Sequence, residues 1–447
     1  MNYQPYPAYG SSVAATGIAF PGGWPVERLR FSILSNPVRS EVAHWDDETA
    51  VSFVPMDAVG EQGEIDPSQE KPLADVYNGY TYFLENDILI AKITPCFENG
   101  KGAIARGLKN GVGFGTTEFH VLRPLQGMSE RWLYYLTKCD FFRKIGGSEM
   151  LGAGGQKRLP EEFIRNLRVG IPSFSEQERI AAFLDWKTGQ VDALIAKKQA
   201  LIEKLKEKRL AVITQAVTKG LDPSAPLKDT HIPWLGEVPK HWDIPSLKMR
   251  YTVELGKMLD EKKIVGDQLI PYLRNTDVQW DRINFDELPE MDISEEEYQR
   301  YTIREDDVLV CEGGEVGRAA IVGKCDEVFG YQKALHRLRA VKRNESPRFI
   351  YYTLLWAVGT GVFSVEGAST IAHLTADQLR RYRFPQPPED EQLDIVDFLD
   401  QVLGRLDKMH EKINNAIARL TEYRTALITA ATTGQIDVRN VAIPAHS

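Results

Sequence analysis

The sequence is poor in the features that mark secreted, metal-bound or catalytic chains. Its 447 residues hold four cysteines, Cys96, Cys139, Cys311 and Cys325, and no C-x-x-C pair. That argues against a disulfide framework, disfavours a zinc site at Cys311, Cys325 and His336, and suits free thiols in a reducing cytoplasm. No apolar run reaches membrane-spanning length, and the N-terminus lacks a charged-then-apolar export pattern. Gly100-Lys101 lacks the upstream glycine of a phosphate-binding loop, and Glu312–Gly317 has the wrong glycine spacing for a dinucleotide site. There is no G-x-S-x-G elbow, no Asn/Asp-Pro-Pro-aromatic run, and no metal spacing among the eight histidines. A net charge of −9 argues against a surface coated with phosphate-binding residues but leaves room for local basic patches. These absences favour a binding protein over an enzyme, and no catalytic or metal-ligating residue is assigned. A hydrophobic fraction of 43% and a charged fraction of 26% suit two or three domains with full cores.

What is present is a repeat. The stretch from Pro172 to Asp222 recurs at 386–437, with Glu176-Gln177 meeting Glu391-Gln392, an offset of 391 − 176 = 215. The same offset pairs Ile180 with Ile395, Phe183-Leu-Asp185 with Phe398-Leu-Asp400, Asp192 with Asp407, and Arg209 with Arg424. Roughly twenty of about fifty positions are identical, far above chance. Both copies lack internal proline and open with a cap-like Ser175 or Asp390 followed by acidic residues, which predicts helices. Apolar residues in steps of three and four predict a coiled-coil seam. In the first copy the seam is Val191, Leu194, Leu201, Leu205 and Val212, interrupted by Lys198 and Lys208. In the second it is Leu399, Val402, Leu406, Met409, Ile413, Ala416, Leu420, Tyr423 and Leu427. Helices of about 35–40 residues would span some 50–60 Å. Gly189 and Gly404 are expected to split a short leading helix from each long one.

The intervening blocks also repeat, at lower similarity. Asn86-Asp-Ile-Leu-Ile-Ala91 is answered by Asp306-Asp-Val-Leu-Val-Cys311, and Arg131-Trp-Leu-Tyr-Tyr135 by Arg348-Phe-Ile-Tyr-Tyr352. The Trp24 segment is answered by Val238–Leu247, and the loop ending at Leu159 by Ser369–Leu374. The chain therefore divides into a flexible N-terminus (1–17), a first block (18–172), a helix (173–222) and a linker (223–231). A second block (232–387), a second helix (388–437) and a tail (438–447) follow. Blocks that diverge between helices that do not suggest helices meeting something common and blocks meeting different things.

This architecture resembles the specificity subunit of type I restriction–modification systems. The resemblance covers nearly the whole chain. It rests most on Ser175-Glu-Gln-Glu-Arg-Ile with Phe183-Leu-Asp, on Lys208–Asp222, and on Trp234-Leu-Gly-Glu-Val-Pro-Lys-His-Trp242. Thr433-Gly-Gln-Ile-Asp437 departs from the usual Thr-Lys-Gly ending. The resemblance implies an α+β fold: two pseudo-repeated mixed α/β target-recognition domains separated by two long helices packed as an antiparallel coiled coil. It implies a bacterial or archaeal, cytoplasmic, non-catalytic chain in which each domain reads one half of a bipartite, asymmetric double-stranded DNA target. Partners would be two modification subunits that use S-adenosylmethionine to methylate adenine, and restriction/motor subunits that use ATP with Mg, with no membrane and no cofactor in this chain.

Direct readout needs hydrogen-bonding side chains on exposed loops. The candidates are Lys92, Thr94, Lys101, Gln156, Lys157 and Arg158 in the first block. In the second they are Arg274, Asn275, Arg318, Gln332, Lys333 and His373. Lys197, Lys198, Lys204, Lys206, Lys208 and Arg209 form a solvated helix face, a phosphate contact or a docking surface. Two other readings stay open: a two-headed structural adaptor that bridges proteins without reading DNA, whose DNA binding would be weak and insensitive to salt, and the recognition half of a fused enzyme.

Overall fold

The computed structural model describes residues 3–444 except 14–15, 154, 260–265, 267 and 365–372. The chain forms two compact units, one of residues 1–199 and 414–447 and one of residues 200–413. Each joins one globular block to half of each long helix.

Unit 1 contains strands β1 (Val26–Arg28), β2 (Ile33–Ser35), β3 (Ala50–Val54), β4 (Glu70–Pro72), β5 (Thr81–Leu84), β6 (Ile88–Ala91), β7 (Gly102–Ile104), β8 (Val112–Gly115), β9 (Phe119–Pro124) and β10 (Arg168–Gly170). Its short helices are α1 (Leu73–Tyr77), α2 (Glu130–Lys138), α3 (Asp140–Glu149) and α4 (Glu161–Asn166), and the long α5 (Phe174–Lys219) begins here. An inner sheet has the order β2-β9-β6-β7 and an outer sheet the order β4-β3-β8-β5. The inner sheet owes its place to β6, all four of whose residues are buried. Successive side chains alternate across a strand. Ile88 and Ile90 therefore join the core shared with the long helices, and Leu89 joins the core beneath the outer sheet.

Unit 2 contains β11 (Leu227–Asp229), β12 (Glu237–Pro239), β13 (Tyr251–Leu255), β14 (Leu269–Leu273), β15 (Val278–Gln279), β16 (Arg282–Ile283), β17 (Glu290–Asp292), β18 (Val308–Cys311), β19 (Ala319–Ile321), β20 (Gly330–Tyr331) and β21 (Leu335–Ala340). Its helices are α6 (Glu295–Tyr301), α7 (Pro347–Gly359), α8 (Ala376–Arg381) and the first part of α9 (Glu389–Thr432). The inner sheet β13-β21-β18-β19 repeats its counterpart. Val308 and Val310 face the helix-bearing core and Leu309 and Cys311 the outer one. The turn before each central strand also repeats, with Asn86 and Asp306 both left-handed at φ 70° and 69°. The following Asp87 and Asp307 are buried and bound by Arg123 and Arg339 at 2.8 and 2.6 Å. Unit 2 adds a buried pair of its own. Arg250 and Glu345, each with a side chain 2% exposed, meet at 2.6 Å. Glu345 also accepts from Tyr251 and Gln386, so removing one charge would cost about 3–5 kcal/mol.

Each block is bolted to its long helix in the same way. In unit 1, the Ser129 N–H donates to Gln177 Oε1 (2.7 Å), and Arg131 and Tyr135 of α2 both bond Asp185. In unit 2, the Ser346 N–H donates to Gln392 Oε1 (3.0 Å), and Arg348 and Tyr352 of α7 both bond Asp400. The long helices run antiparallel within each unit. Asp192 of α5 pairs with Arg424 of α9 at 2.9 Å in unit 1, and Arg209 with Asp407 at 2.5 Å in unit 2. These four residues are the repeat-related positions, paired crosswise.

Four expectations change. The seam is partial: Val191, Leu399, Leu406 and Leu427 are buried, and Leu205, Val212, Val402, Ile413 and Leu420 half-buried. Leu194, Leu201 and Met409 are 48, 45 and 53% exposed, while Ile202 and Leu403 are buried instead. A straight helix drifts about 20° per heptad from a 3.5-residue repeat, so the buried stripe moves off the heptad positions. Gly189 and Gly404 interrupt neither helix. The first helix begins one residue before Ser175, and Ser173 Oγ accepts the Glu176 N–H at 3.4 Å. Residues 3–13, expected to be flexible, are tied down: the Asp437 N–H donates to Gln4 C=O at 2.7 Å, and Tyr6 is buried.

A Cβ built at Gly189 or Gly404 meets nothing within 4 Å. Alanine at either site should therefore stabilise its helix by about 0.5–1 kcal/mol, measured by urea denaturation. No gain at either position would mean that the glycines serve a bend absent from this conformation.

Candidate nucleic-acid interface

In unit 1 the loop after α3 returns to the inner sheet beside the end of β6. The Leu159 N–H donates to Lys92 C=O (2.7 Å), and the Thr94 N–H to Lys157 C=O (3.0 Å). Thr94 Oγ1 donates to Gly155 C=O (2.6 Å) and accepts from the Lys157 N–H (3.0 Å). Lys92, Thr94, Gln156, Lys157 and Arg158 therefore share one rim, with Gln156 and Lys157 exposed. Lys101 is turned away from it, its Nζ donating to Met56 C=O at 3.0 Å. Arg158 is held by Glu118 through Nε (2.9 Å) and Nη2 (2.7 Å). This guanidinium beside Glu118 holds the carboxyl below its usual range. Of five guanidinium N–H donors, the pair uses two and leaves the rest oriented outward.

In unit 2 the matching rim joins the ends of β14, β18 and β20. Arg274 is braced by Asp277 through two 2.8 Å bonds. Asn275 Nδ2 donates to Gly313 C=O (2.9 Å), and Arg318 donates to the Asn275 backbone oxygen (3.0 Å) and side-chain oxygen (3.2 Å). Gln332 follows β20, its N–H bonded to Leu273 C=O (3.0 Å), with exposed Lys333 next to it. His373 is exposed and lies against Gly313. All six residues chosen from the sequence thus fall on one side of unit 2, where Arg318 and Asn275 brace each other. Of the Ser369–Leu374 stretch, residues 369–372 lie outside the described residues.

The rims stand on a shared polar support that the sequence did not reveal. His120 Nε2 is 2.8 Å from Leu159 C=O, and His336 Nε2 is 2.6 Å from Leu374 C=O. Burial pushes both imidazoles below their ordinary value. The Leu374 N–H donates to Glu312 C=O (2.8 Å) as the Leu159 N–H does to Lys92 C=O, so a carboxylate stands in unit 2 where an ammonium stands in unit 1. Lys138 was also missed. Its buried ammonium donates to the carbonyls of Glu61, Gly100 and Gly102 at 3.1, 2.5 and 3.0 Å, and burial pushes its pKa down to about 7. It fastens two loops of unit 1, and only its place at the end of an apolar helix face hinted at burial. A 740 Å³ cleft in unit 1 bears Asp57, Glu61, Glu64 and Asp66 and would repel phosphate. No cluster of metal-ligating side chains occurs among the described residues.

A family model described as the type I restriction modification DNA specificity domain matches residues 53–207 and 241–419. The chain belongs to that family. Both recognition blocks and both helices lie largely inside the two matches. The specificity subunit of the type I restriction enzyme EcoAI of Escherichia coli is 45% identical over 164 residues, 36% of this chain and 27% of that subunit. The chain thus aligns with about a quarter of that relative's length. The StySPI specificity subunit of Salmonella potsdam is 25% identical over 323 residues, 70% of this chain and 67% of that one. A solved chain from work on complex assembly and conformational transition of the type I R-M system covers 93% of this chain and 99% of itself, at TM-score 0.74 and 18% identity. The HsdS subunit of Thermoanaerobacter tengcongensis matches at TM-score 0.55 and 17% identity, covering 93% and 98%. These likenesses establish the fold: two pseudo-repeated mixed α/β domains with long antiparallel helices.

The buried histidines make a pH test. An imidazole whose folded pKa lies below its unfolded value adds stability at neutral pH that is lost as pH falls below the ordinary 6.5. Melting temperature should therefore drop on going from pH 7 to pH 5. H120Q and H336Q should flatten that slope while lowering stability at pH 7. An unchanged slope in the double variant would assign the drop to other groups.

Proposed function

We propose that this chain is the DNA-reading, non-catalytic subunit of a type I restriction–modification complex. Each block reads one half of an asymmetric, bipartite duplex target, through Lys92, Thr94 and Gln156–Arg158 on one rim and Arg274, Asn275, Arg318, Gln332, Lys333 and His373 on the other. Lys101 would contribute only by leaving Met56. The chain directs adenine methylation by two modification subunits that carry S-adenosylmethionine, and cleavage by restriction subunits that use ATP with Mg, in the cytoplasm. The observation that carries the reading is the repeat of one framework under two unlike rims, with Lys92 in one and Glu312 in the other. Arginines braced by Glu118 and Asp277 support it, because an oriented guanidinium suits bidentate contact with guanine. The acidic net charge is compatible if partner subunits supply much of the phosphate grip.

Methyladenine mapped in cells carrying the neighbouring methyltransferase, with and without this chain, tests the reading. A gapped two-part motif should appear only with the chain, and exchanging residues 18–170 should change one half of it. A map independent of the chain would move the adaptor reading to first place.

The helices are proposed to set the gap. Two readers on one face of B-DNA sit about 34–36 Å apart per helical turn, and four residues added to both helices shift the spacing by about 6 Å. The unread gap in the motif should lengthen in that variant, and an unaltered gap would count against a ruler.

A further inference from the structure

The two units build the same turn at the end of a long helix and fill it differently. In unit 1, Gly434 (φ 69°) ends α9 beneath Pro21 and Trp24, and in unit 2, Gly220 (φ 73°) ends α5 beneath Pro239 and Trp242. The segments leading to the two tryptophans follow one path. The Gly22 N–H donates to Ala8 C=O (3.0 Å) as the Lys240 N–H does to Pro226 C=O (2.8 Å). Tyr9 faces Pro21 as Leu227 faces Pro239. One offset, 239 − 21 = 218, relates the paired positions of these two segments and sets Ser224 where unit 1 has Tyr6.

Tyr6 fills the turn in unit 1. Its ring centroid lies 5.6 Å from that of Trp24, and its hydroxyl donates to Glu176 Oε1 at 2.7 Å. The Arg439 guanidinium sits 4.8 Å from the ring centroid and bonds Asp437 at 2.6 Å. In unit 2, exposed Ser224 is folded back onto Asp222 at 2.6 Å, and a 220 Å³ cavity opens beside it, bordered by its neighbours Asp222 and Ala225. Gly220, Pro239, His241, Glu391, Asp394 and Ile395 line it. A cavity of about 150 Å³ is enough to hold a benzene ring. The charge also differs. The offset of 215 puts Asp394 where unit 1 has Arg179, and Asp222, Glu391 and Asp394 all border the cavity. Lys219, at its edge, is drawn to Glu237 at 3.8 Å. Glu391 is held meanwhile by His241 (2.6 Å) and by Trp242 Nε1 (2.7 Å). Compared with unit 1, the turn therefore lacks one phenol ring and two guanidiniums, those of Arg179 and Arg439.

We propose that this cavity is the socket for a partner polypeptide segment that carries a tyrosine beside an arginine or lysine. The ring stacks in the cavity beside Ser224, its hydroxyl takes the Glu391 oxygen that His241 now holds, and the cation settles among Asp222 and Asp394. The proposal stands whether or not the blocks read DNA.

The probe is a synthetic peptide of the Tyr3–Tyr9 sequence with one arginine added after it, titrated into the full-length chain by calorimetry. S224Y fills the socket from within, as Tyr6 does in unit 1, and D394R reverses an exposed charge. Both should keep the melting temperature of the parent. Saturable one-to-one binding is expected, weakened at least about tenfold by S224Y, by D394R, and by alanine in place of the peptide's central tyrosine. No saturation up to about 1 mM, or binding indifferent to both protein variants, would overturn the proposal. The latter result would mean that the peptide competes with Tyr6 in unit 1.

Discussion

The helix-facing core of each unit is closed by two helices drawn from distant parts of the sequence. Unit 1 buries Ile180, Phe183 and Leu184 of α5 against Leu427, Ile428 and Ala431 of α9. Unit 2 buries Ile213, Ala216 and Val217 of α5 against Ile395, Leu399 and Leu403 of α9. Burying one such aliphatic or aromatic side chain stabilises by about 1.5–3 kcal/mol, so neither block keeps its helix-facing core without both helices. The crossed Asp192–Arg424 and Arg209–Asp407 pairs are partly exposed, and such pairs are worth about 1 kcal/mol or less. They act on register instead. Aligning the two repeats in parallel would set Asp192 against Asp407 and Arg209 against Arg424, like against like.

That constraint explains why the framework repeats and the rims do not. Asp185 and Asp400, Gln177 and Gln392, and His120 and His336 each meet the same partner type in their own unit. A change in the aspartates or glutamines loosens a block from its helix, and a change in either histidine loosens a rim loop from its sheet. Residues on the rims answer to no such demand, and so a lysine and a glutamate occupy one structural position in the two units.

Much of this was legible in the sequence. The 215-residue offset exposed Arg209 and Asp407 as repeat positions, and the Arg-x-x-x-Tyr runs at 131 and 348 marked the residues that grip the helices. What was not legible depends on what covers a residue. Phe183 and Phe398 occupy the same place in the repeat, yet Phe183 is buried and Phe398 exposed. The Tyr3 ring, 5.3 Å from that of Phe183, makes the difference, and no periodicity foretells the docking of an N-terminal segment. Leu194 and Leu201 are exposed for another reason, the drift of the buried stripe off the heptad positions, with Ile202 covered in place of Leu201. The braces of Arg158 and Arg274 also escaped notice, since Glu118 lies forty residues from its arginine and Asp277 reads as an ordinary turn residue.

The make-up of unit 1 has a consequence for the order of synthesis. Its core needs residues from 414 onward, and its N-terminal segment is pinned by Asp437. Unit 2 is one continuous stretch, 200–413. At about 5–20 residues per second, a ribosome takes roughly 10–40 s to pass from the first part of unit 1 to the second. The block made first is therefore completed last, and Ile180, Phe183 and Leu184 wait uncovered through that interval.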